Sequence, residues 1–372
     1  VLFYIRRGVE SQSQIVLDEA VQLALNAQSE TDILAKRTAW MDLIDYLDAA
    51  ELLYAFPESQ ELRDLAQGSL DDIDLVRRIE YQPAVYGGLP SSVNVVRMVS
   101  VDDDLYMLDG NTGNVYHAAL TEQGYVLDGT FLCGPGTLGV ENRLIDIMPW
   151  PVGFEPMASL VAIDAQGNVV YCQPGQEPLT SEFASPPTSS LSGLTGFTMD
   201  QSNMFLLDPQ ANSVWIYWGS ETDSQPDPFF ADQIPRLDDV VDLMIANNEL
   251  YLLHEDGQLA ICEYSSLEIA PTSCKEPVPF VDSRQARENM IITPTSPFSQ
   301  ILYNPPPDPS LFVLQPDSRS INLFSLRTPT YQTQYKPIAQ LEGNEATAFA
   351  VDPIDRLMYL ALGNHVYYGR IP

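Results

Sequence analysis

The pattern of apolar and polar residues changes period once along this chain, near residue 76. Before that point apolar residues recur three or four positions apart, as in Trp40, Leu43, Ile44 and Leu47, which is the spacing of one face of an α-helix. After it, apolar and polar residues mostly alternate, which is the period of a β-strand with one buried face. The pattern predicts an N-terminal helical region followed by a larger β region.

The helical region, residues 9–75, is predicted to contain two or three antiparallel helices. Ser29 or Thr31 is suited to cap the second helix, and Pro57 to begin the third, because proline is tolerated in the first turn of a helix. The stretch 39–73 resembles a tetratricopeptide hairpin in its mixture of large and small residues and in the proline between its helices. It covers barely one such repeat, so we interpret the region as a helical stalk.

The β region repeats one unit six times. Each copy is a short apolar strand, a turn, and a second strand. The residue that closes the first strand recurs at intervals of 44 to 61 residues. The copies are LYMLDGNTGNVYHA (from residue 105), LVAIDAQGNVVYCQ (160), MFLLDPQANSVWIY (204), LYLLHEDGQLAICEY (250), LFVLQPDSRSINLFSL (311) and LMYLALGNHVYYGRI (357), and their closing residues are Asp109, Asp164, Asp208, His254, Gln315 and Ala361.

Repetition at this interval is typical of a β-propeller, in which each blade is a four-stranded sheet of roughly 40–50 residues. The fold class is therefore predicted to be mainly β, a six-bladed propeller over residues 76–372 preceded by an N-terminal α-helical hairpin. The last copy reaches Pro372 with only three strands. We expect segment 76–86 to supply the outer strand of the last blade and so to close the ring.

Charge and cysteine content narrow the possible partners and compartments. The chain has 51 acidic and 18 basic residues, a net charge of −33, which repels phosphate backbones and excludes nucleic acid as an expected partner. Its four cysteines form no CxxC pair. Cys262 and Cys274 are close enough in sequence for a hairpin disulfide in an oxidising compartment, and buried free thiols are the alternative.

The first residues, VLFYIRRG, read as the end of a transmembrane helix over 1–8, with an ordinary amphipathic helix start as the alternative. Apolar residues followed by an arginine pair are typical of the membrane boundary. Two positive charges do not fix the orientation of such a helix. We expect the chain to reach a membrane through this segment.

Candidate chemistry is sparse. Asp102, Asp103 and Asp104 are contiguous, and neighbouring side chains of an extended segment point to opposite sides, so a turn is favoured over a calcium loop. Recurrent aspartates such as Asp109 are interpreted as turn caps. The histidines His117, His254 and His365 lie at different phases of the repeat, which does not favour a shared metal site. No nucleophile elbow or phosphate-binding loop occurs, and we expect no catalytic residue, metal or cofactor.

Proline-rich stretches between the repeats carry aromatic residues that are predicted to be exposed. Loops at the ends of a propeller are its usual binding apparatus, so these side chains are candidates for contact with a protein, peptide or glycan ligand. The alternative is that the loops cover the ring or pack on the helices. The candidate residues are Trp150, Phe154, Phe229, Phe230, Phe298 and Tyr303.

The order VLFYIRR, helices, then VVRMVSVDDDLYMLDGNTGNVYHA onward resembles the C-terminal region of certain bacterial membrane signalling proteins. In those proteins a cytoplasmic kinase or PP2C-type phosphatase domain is joined through one membrane helix to helices and a propeller. The repeats themselves look most like propellers of the NHL, TolB and YncE types. The resemblance implies a membrane-anchored, extracytoplasmic sensor or docking module without catalysis in this segment.

Three functional hypotheses remain open from the sequence. The first is a non-catalytic, ligand- or protein-binding propeller. The second is a propeller hydrolase, of the lactonase or glycan-cleaving type, that uses carboxylates at the central channel. The third makes the helices the contact surface and the propeller a rigid platform.

Overall fold

The computed structural model describes residues 2–52, 58–137, 139–187, 189–231, 233–267, 270–294 and 296–372, with the backbone alone at 2–13, 220 and 270. The chain divides into two compact units. A helical unit comprises the residues up to Arg77 together with Val281–Met290 and Tyr331–Gln334, and a propeller unit comprises the remainder. None of the helices in these described ranges combines the length and apolar character of a membrane span.

The described residues of the helical unit form three helices: α1 (Leu2–Ser29), α2 (Ile33–Glu51) and α3 (Ser59–Asp74). The N-cap of α2 is Asp32, whose side chain accepts a hydrogen bond from the Ala35 N–H at 2.8 Å. The prediction of Ser29 or Thr31 as cap is therefore wrong, because α1 continues to Ser29 and leaves only a short connection. Pro57, predicted to begin α3, lies outside the described residues.

Alanines on α1 set the packing of the helical unit. A small side chain lets a neighbouring helix approach closely and receive large side chains between the backbones. The buried core contains Ala20, Ala24 and Ala27 of α1, Trp40, Leu43, Leu47 and Ala50 of α2, and Ala66 and Leu70 of α3.

Asp74, the last residue of α3, is the centre of a charge cluster inside the helical unit. Its carboxylate accepts two hydrogen bonds from Arg37 Nε, both 3.0 Å, and one from Arg287 Nη2 at 2.6 Å. The Arg284 guanidinium pairs with Asp282 at 2.6 Å and lies 4.4 Å from the centre of the Tyr331 ring. The cluster joins residues far apart in sequence within one unit.

The strands follow in chain order. Each blade uses its first strand as the innermost, since these first strands contact one another around the axis. The strands are β1 (Val76–Ile79), β2 (Gln82–Pro83), β3 (Val95–Val101), β4 (Asp104–Asp109), β5 (Val115–Thr121), β6 (Gly124–Leu127), β7 (Leu144–Pro149), β8 (Leu160–Asp164), β9 (Asn168–Cys172), β10 (Leu179–Glu182), β11 (Gly196–Asp200), β12 (Asn203–Asp208), β13 (Ser213–Tyr217), β14 (Asp227–Pro228), β15 (Val240–Ala246), β16 (Glu249–His254), β17 (Leu259–Leu267), β18 (Ala270–Val278), β19 (Gln300–Asn304), β20 (Ser310–Gln315), β21 (Ser320–Ser325), β22 (Tyr331–Pro337), β23 (Ala348–Asp352), β24 (Leu357–Leu362) and β25 (His365–Arg370).

Within the described residues these strands form six antiparallel sheets, which confirms the predicted six-bladed propeller. Blades one to four are β3-β4-β5-β6, β7-β8-β9-β10, β11-β12-β13-β14 and β15-β16-β17-β18. Blade five is β19-β20-β21-β22-β1 and blade six is β23-β24-β25-β2. We call the end of the ring that carries the turns between second and third strands the upper end, and the other the lower end.

The segment 76–86 is shared between blades. Strand β1 belongs to the sheet of blade five, whereas β2 pairs with β25 in blade six, with Gln82 opposite Tyr368. Val85 then makes a parallel bridge to Tyr125 in β6 of blade one. A few residues that precede the first blade therefore link it to the last.

The propeller core lies between adjacent sheets. The second strand of each blade is buried almost throughout, as in β8, where all five residues are buried. Each such strand faces a neighbouring blade on both sides, so it needs apolar residues at successive positions. One inter-blade core, for example, packs Val161 and Ile163 of blade two against Leu206 and Trp215 of blade three.

Two disulfides are present. Cys262 and Cys274 are directly opposite on β17 and β18, with Cα atoms 4.0 Å apart, as the hairpin alternative proposed. Cys133 and Cys172, 39 residues apart, join the connection after blade one to the end of β9. The pairing of these two cysteines is not evident from the sequence, because their proximity depends on how blades one and two pack.

The stability of the helical unit should fall at acid pH because of Asp74. Burial by itself raises the pKa of this carboxyl, but Arg37 and Arg287 outweigh burial and hold the pKa below its usual 3.8. A depressed folded-state pKa stabilises the fold fully above the unfolded value, and this contribution is lost as pH falls through the folded value. We expect Asp74→Asn to cost about 3 kcal/mol near neutral pH and less in acid.

The measurement is chemical unfolding followed by the helical circular dichroism signal at several pH values. Asp72→Asn, at an exposed position of the same helix, is the matched control and should change little. An Asp74→Asn variant as stable as the control at neutral pH would contradict the assignment.

Candidate functional site

The centre of the propeller is built from one equivalent position on each inner strand. This position lies opposite the last-but-one residue of the second strand, as Arg97 lies opposite Leu108. Arg97, Asp146 and Asp242 each follow a β-bulge, and a bulge re-aims the side chain that comes after it. The residues at this position are Arg97, Asp146, Gly196, Asp242, Gln300 and Ala348.

The Arg97 guanidinium joins three blades. Its Nε donates to Asp146 Oδ1 of blade two at 2.9 Å. Its Nη1 and Nη2 donate to the two carboxylate oxygens of Asp242 in blade four, at 2.9 and 2.6 Å. Blades one and four are opposite each other in a six-membered ring, so this side chain crosses the axis and closes the channel at that level. We call Arg97, Asp146, Asp242 and Gln300 the axial hub.

Backbone N–H groups also donate hydrogen bonds to the carboxylates of Asp146 and Asp242. Asp146 accepts from Phe197 N in blade three at 3.1 Å, and Asp242 accepts from Ile301 N in blade five at 2.8 Å. Gly196 permits the first of these bonds, since a Cβ there would lie 3.3 Å from Asp146 Oδ2. Each hub carboxylate therefore also binds the next blade around the ring.

Gln300 extends the same arrangement to the remaining blades. Its Oε1 accepts from Phe349 N in blade six at 3.1 Å. Its Nε2 donates to Val96 O in blade one at 2.6 Å and to Thr347 O at 3.3 Å. All six inner strands are thus joined by four side chains and by the backbone groups that they bind.

Burial makes the hub electrostatically strong. The exposed fractions of the Arg97, Asp146 and Asp242 side chains are 12%, 1% and 1%. Burial alone disfavours the charged guanidinium, but Asp146 and Asp242 outweigh it and raise the pKa of Arg97 above its ordinary value. Burial, which Arg97 only partly offsets, raises the pKa of Asp146. One cation neutralises two carboxylates only in part.

Two hollows open at the upper end beside the hub. One of about 830 Å³ lies against blades five and six, and one of about 710 Å³ lies between blades one and two. Thr347 lines the first and Val96 the second, and both residues offer their carbonyl oxygens to Gln300. Polar loop residues such as Asp317, Glu345, Glu141 and Asn142 line the rest of the walls.

Four of the six predicted loop aromatics are buried, so the expectation of exposure is wrong for them. Trp150, Phe229, Phe230 and Phe298 are between 1% and 4% exposed. They cover the inter-blade cores, as Phe298 does with its ring centre 5.0 Å from that of Phe280. Apolar residues in a proline-rich connection can serve the core as well as a ligand, and the sequence does not distinguish the two roles.

The remaining two candidates do not form a joint site. Phe154, in the lower-end loop of blade two, is 37% exposed. Tyr303 is half-buried in β19 of blade five. The six candidate residues are distributed over both ends of the ring, so they do not share one surface.

The acidic and histidine motifs have local roles. Asp102 and Asp103 form the two-residue turn between β3 and β4, with Asp102 at a φ of 52°, as expected from the sequence. Asp109 caps its own turn by accepting from Asn111 N at 3.0 Å and Thr112 Oγ1 at 2.7 Å. Among the described residues, no group of three or more His, Cys, Asp or Glu side chains could hold a metal ion.

His117 and His254 are buried next to carboxylates. His117 Nε2 is 2.9 Å from Asp104 Oδ2, and His254 Nδ1 is 2.8 Å from Asp239 Oδ1.

The residue predicted to close the first strand of the sixth copy is wrong. Leu362, not Ala361, ends β24 as Asp109 ends β4, because both strands have six residues and Ala361 is the fifth.

Trp218 is an exposed aromatic residue that was not among the candidates predicted from the sequence. It follows β13 at the lower end and is 41% exposed. Its indole Nε1 donates to Asp227 Oδ2 at 2.8 Å, and its ring centre is 5.8 Å from that of Tyr264. The sequence indicates this exposure only through position, because Trp218 directly follows the buried strand SVWIY and so lies where that strand ends.

Comparison with known proteins gives no family. No family model matches the chain, and no curated protein matches it. One similar solved structure is PorZ, described as an essential surface component of the type-IX secretion system of Porphyromonas gingivalis, with 12% identity and a TM-score of 0.41. That match covers 78% of this chain and 39% of PorZ, so this chain spans less than half the PorZ length. A chain of a mitotic checkpoint complex matches at 10% identity and a TM-score of 0.47, covering 80% of this chain and 95% of that one.

Arg97 should be among the most sensitive positions in the propeller. Arg97→Met leaves two buried carboxylates without their cation, and breaking a buried ion pair in this way costs about 3–5 kcal/mol. Urea unfolding followed by tryptophan fluorescence measures the loss, with the exposed Arg370→Met as control.

Adding Asp146→Asn and Asp242→Asn to Arg97→Met should recover part of the lost stability, because the buried negative charge is then gone while both side chains still accept hydrogen bonds. Equal stability of Arg97→Met and Arg370→Met would show that the hub is not a stabilising element.

Proposed function

We propose that this chain is a non-catalytic binding or scaffold module that takes a protein, peptide or glycan ligand at an end of its propeller. The observation that carries this proposal is the closed axis. Arg97 and backbone N–H groups occupy the oxygens of Asp146 and Asp242. Carboxylates held in this way are poorly placed to act as a general acid and base, which need access to substrate.

The hydrolase alternative relies on those same carboxylates. A propeller lactonase or glycosidase would need them, or a metal bound to them, to face an open cavity. In this chain the hollows open beside the hub, and their walls carry loop residues. The residues that a ligand can reach in these hollows therefore favour binding over catalysis. Among possible ligands, nucleic acid is disfavoured by the net charge of −33 on the chain.

A direct test compares binding with turnover. The protein is applied to peptide and glycan arrays and is incubated separately with chromogenic lactones and glycosides, with and without Ca²⁺ or Zn²⁺. We expect saturable binding to at least one array class and no turnover. Glu345→Lys should weaken binding at the larger hollow, whereas Glu122→Lys, in the exposed lower-end turn of blade one, should not. Turnover that Asp242→Asn abolishes in a folded protein would establish the hydrolase.

A second proposal concerns the propeller type and the larger protein to which this chain belongs. We propose that the propeller is of the NHL, TolB or YncE type and belongs to a membrane-anchored bacterial signalling protein, extracytoplasmic, with a PP2C-type phosphatase or kinase domain before it. Support comes from the segment VLFYIRR and the chain order. The two disulfides add support, because disulfides persist mainly in oxidising compartments.

Thiol trapping in intact cells tests the compartment. After rapid alkylation, mass spectrometry should find Cys133, Cys172, Cys262 and Cys274 unmodified until a reductant is added. The protein expressed in a reducing cytoplasm is the control and should be alkylated on unfolding. Free thiols in the native cell would contradict an extracytoplasmic location.

A further inference from the structure

The loop 218–227, between the last two strands of blade three, places an exposed aromatic ring among carboxylates. Trp218 is 41% exposed, whereas the other tryptophans, Trp40, Trp150 and Trp215, are 1%, 2% and 7% exposed. Burying a tryptophan gains free energy, and the three others are buried. The exposure of Trp218 therefore distinguishes it from the rest.

The indole of Trp218 is held in place. The hydrogen bond from Nε1 to Asp227 Oδ2, 2.8 Å, fixes one edge of the ring. Tyr264 packs beside it at an interplanar angle of 59°. The Gly219 N–H donates to Asn203 Oδ1 at 2.9 Å and fixes the start of the loop. A ring that is already immobilised loses little entropy when a ligand stacks on it.

The charge around the ring is negative. The loop sequence WGSETDSQPD contains Glu221, Asp223 and Asp227 and no lysine or arginine. All three carboxylates are at exposed residues. The Asp227 carboxylate is bonded to the Trp218 indole, whose ring centre is 5.8 Å from that of Tyr264. Burial, and to a lesser extent the negative charge of Asp227, raises the pKa of the Tyr264 hydroxyl.

An aromatic face next to a carboxylate is complementary to a cation. A guanidinium suits this arrangement better than an ammonium, because it is planar, stacks on an indole and can donate to a carboxylate from its edge. We propose that Trp218, Tyr264 and Asp227 form a subsite for an arginine side chain of a partner protein at the lower end of the propeller. This inference rests on the proposed binding function and names the partner chemistry at a second surface, away from the upper-end hollows.

The experiment measures binding of a fluorescein-labelled tetra-arginine peptide to the full chain by anisotropy, with tetra-lysine and tetra-glutamine peptides for comparison. We expect tetra-arginine to bind most tightly and to alter the fluorescence of Trp218, the most exposed of the tryptophans. Trp218→Ala should weaken binding about 2- to 30-fold, the range of a cation–π contact. Asp227→Asn should also weaken it.

Tyr86→Ala is the matched control, since Tyr86 is an aromatic residue 65% exposed elsewhere in the chain, and it should leave the affinity unchanged. Tetra-arginine binding that is equal in wild type and Trp218→Ala would overturn the subsite, because the acidic surface as a whole would then account for it. Equal, Trp218-dependent binding of tetra-lysine would overturn the preference for arginine. If the chain binds an array ligand at the hollows but does not bind tetra-arginine, the subsite is overturned and the proposed binding function remains intact.

Discussion

The propeller depends on one buried side chain that crosses its axis. A ring of six sheets has inner strands that run in the same direction, and their side chains crowd toward a common line. Arg97 fills that line and binds carboxylates from blades two and four. Since a buried charge is tolerated only when it is paired and hydrogen-bonded, the positions of three blades are fixed together. The Gln300 amide on blade five binds the backbone of blades six and one, and the Phe197 N–H of blade three binds Asp146.

The positions of the other strands depend on the inner strands that the axial hub joins. With the inner strands fixed, each second strand lies between two neighbouring sheets and is buried on both faces. The third strands and the short outer strands then complete each blade. The ring is closed by the two-residue strand β2 and the bridge from Val85 to Tyr125, together with the packing of β23 of blade six against β3 of blade one.

The architecture could be predicted because its signal is local and repeated. Runs such as LVAID and LYLLH are buried on both faces in every blade and recur at blade length. The axial hub could not be predicted, because Arg97, Asp146 and Asp242 each look like ordinary surface charges within short strands. Their meeting depends on bulges and on the order of blades around a ring. The loop aromatics were misjudged for a related reason, since Phe229 or Phe298 reaches a core only when neighbouring sheets are in place.

Each disulfide closes a covalent loop within the propeller. The loop between Cys133 and Cys172 contains strands β7 to β9 and, before them, the exposed residues Glu141, Asn142 and Arg143. Cys262 and Cys274 enclose the end of the hairpin formed by β17 and β18. A protease that cuts the backbone inside either loop leaves both fragments joined through sulfur. In an environment rich in proteases, such a cut creates two new chain ends, but every blade stays covalently attached to the ring.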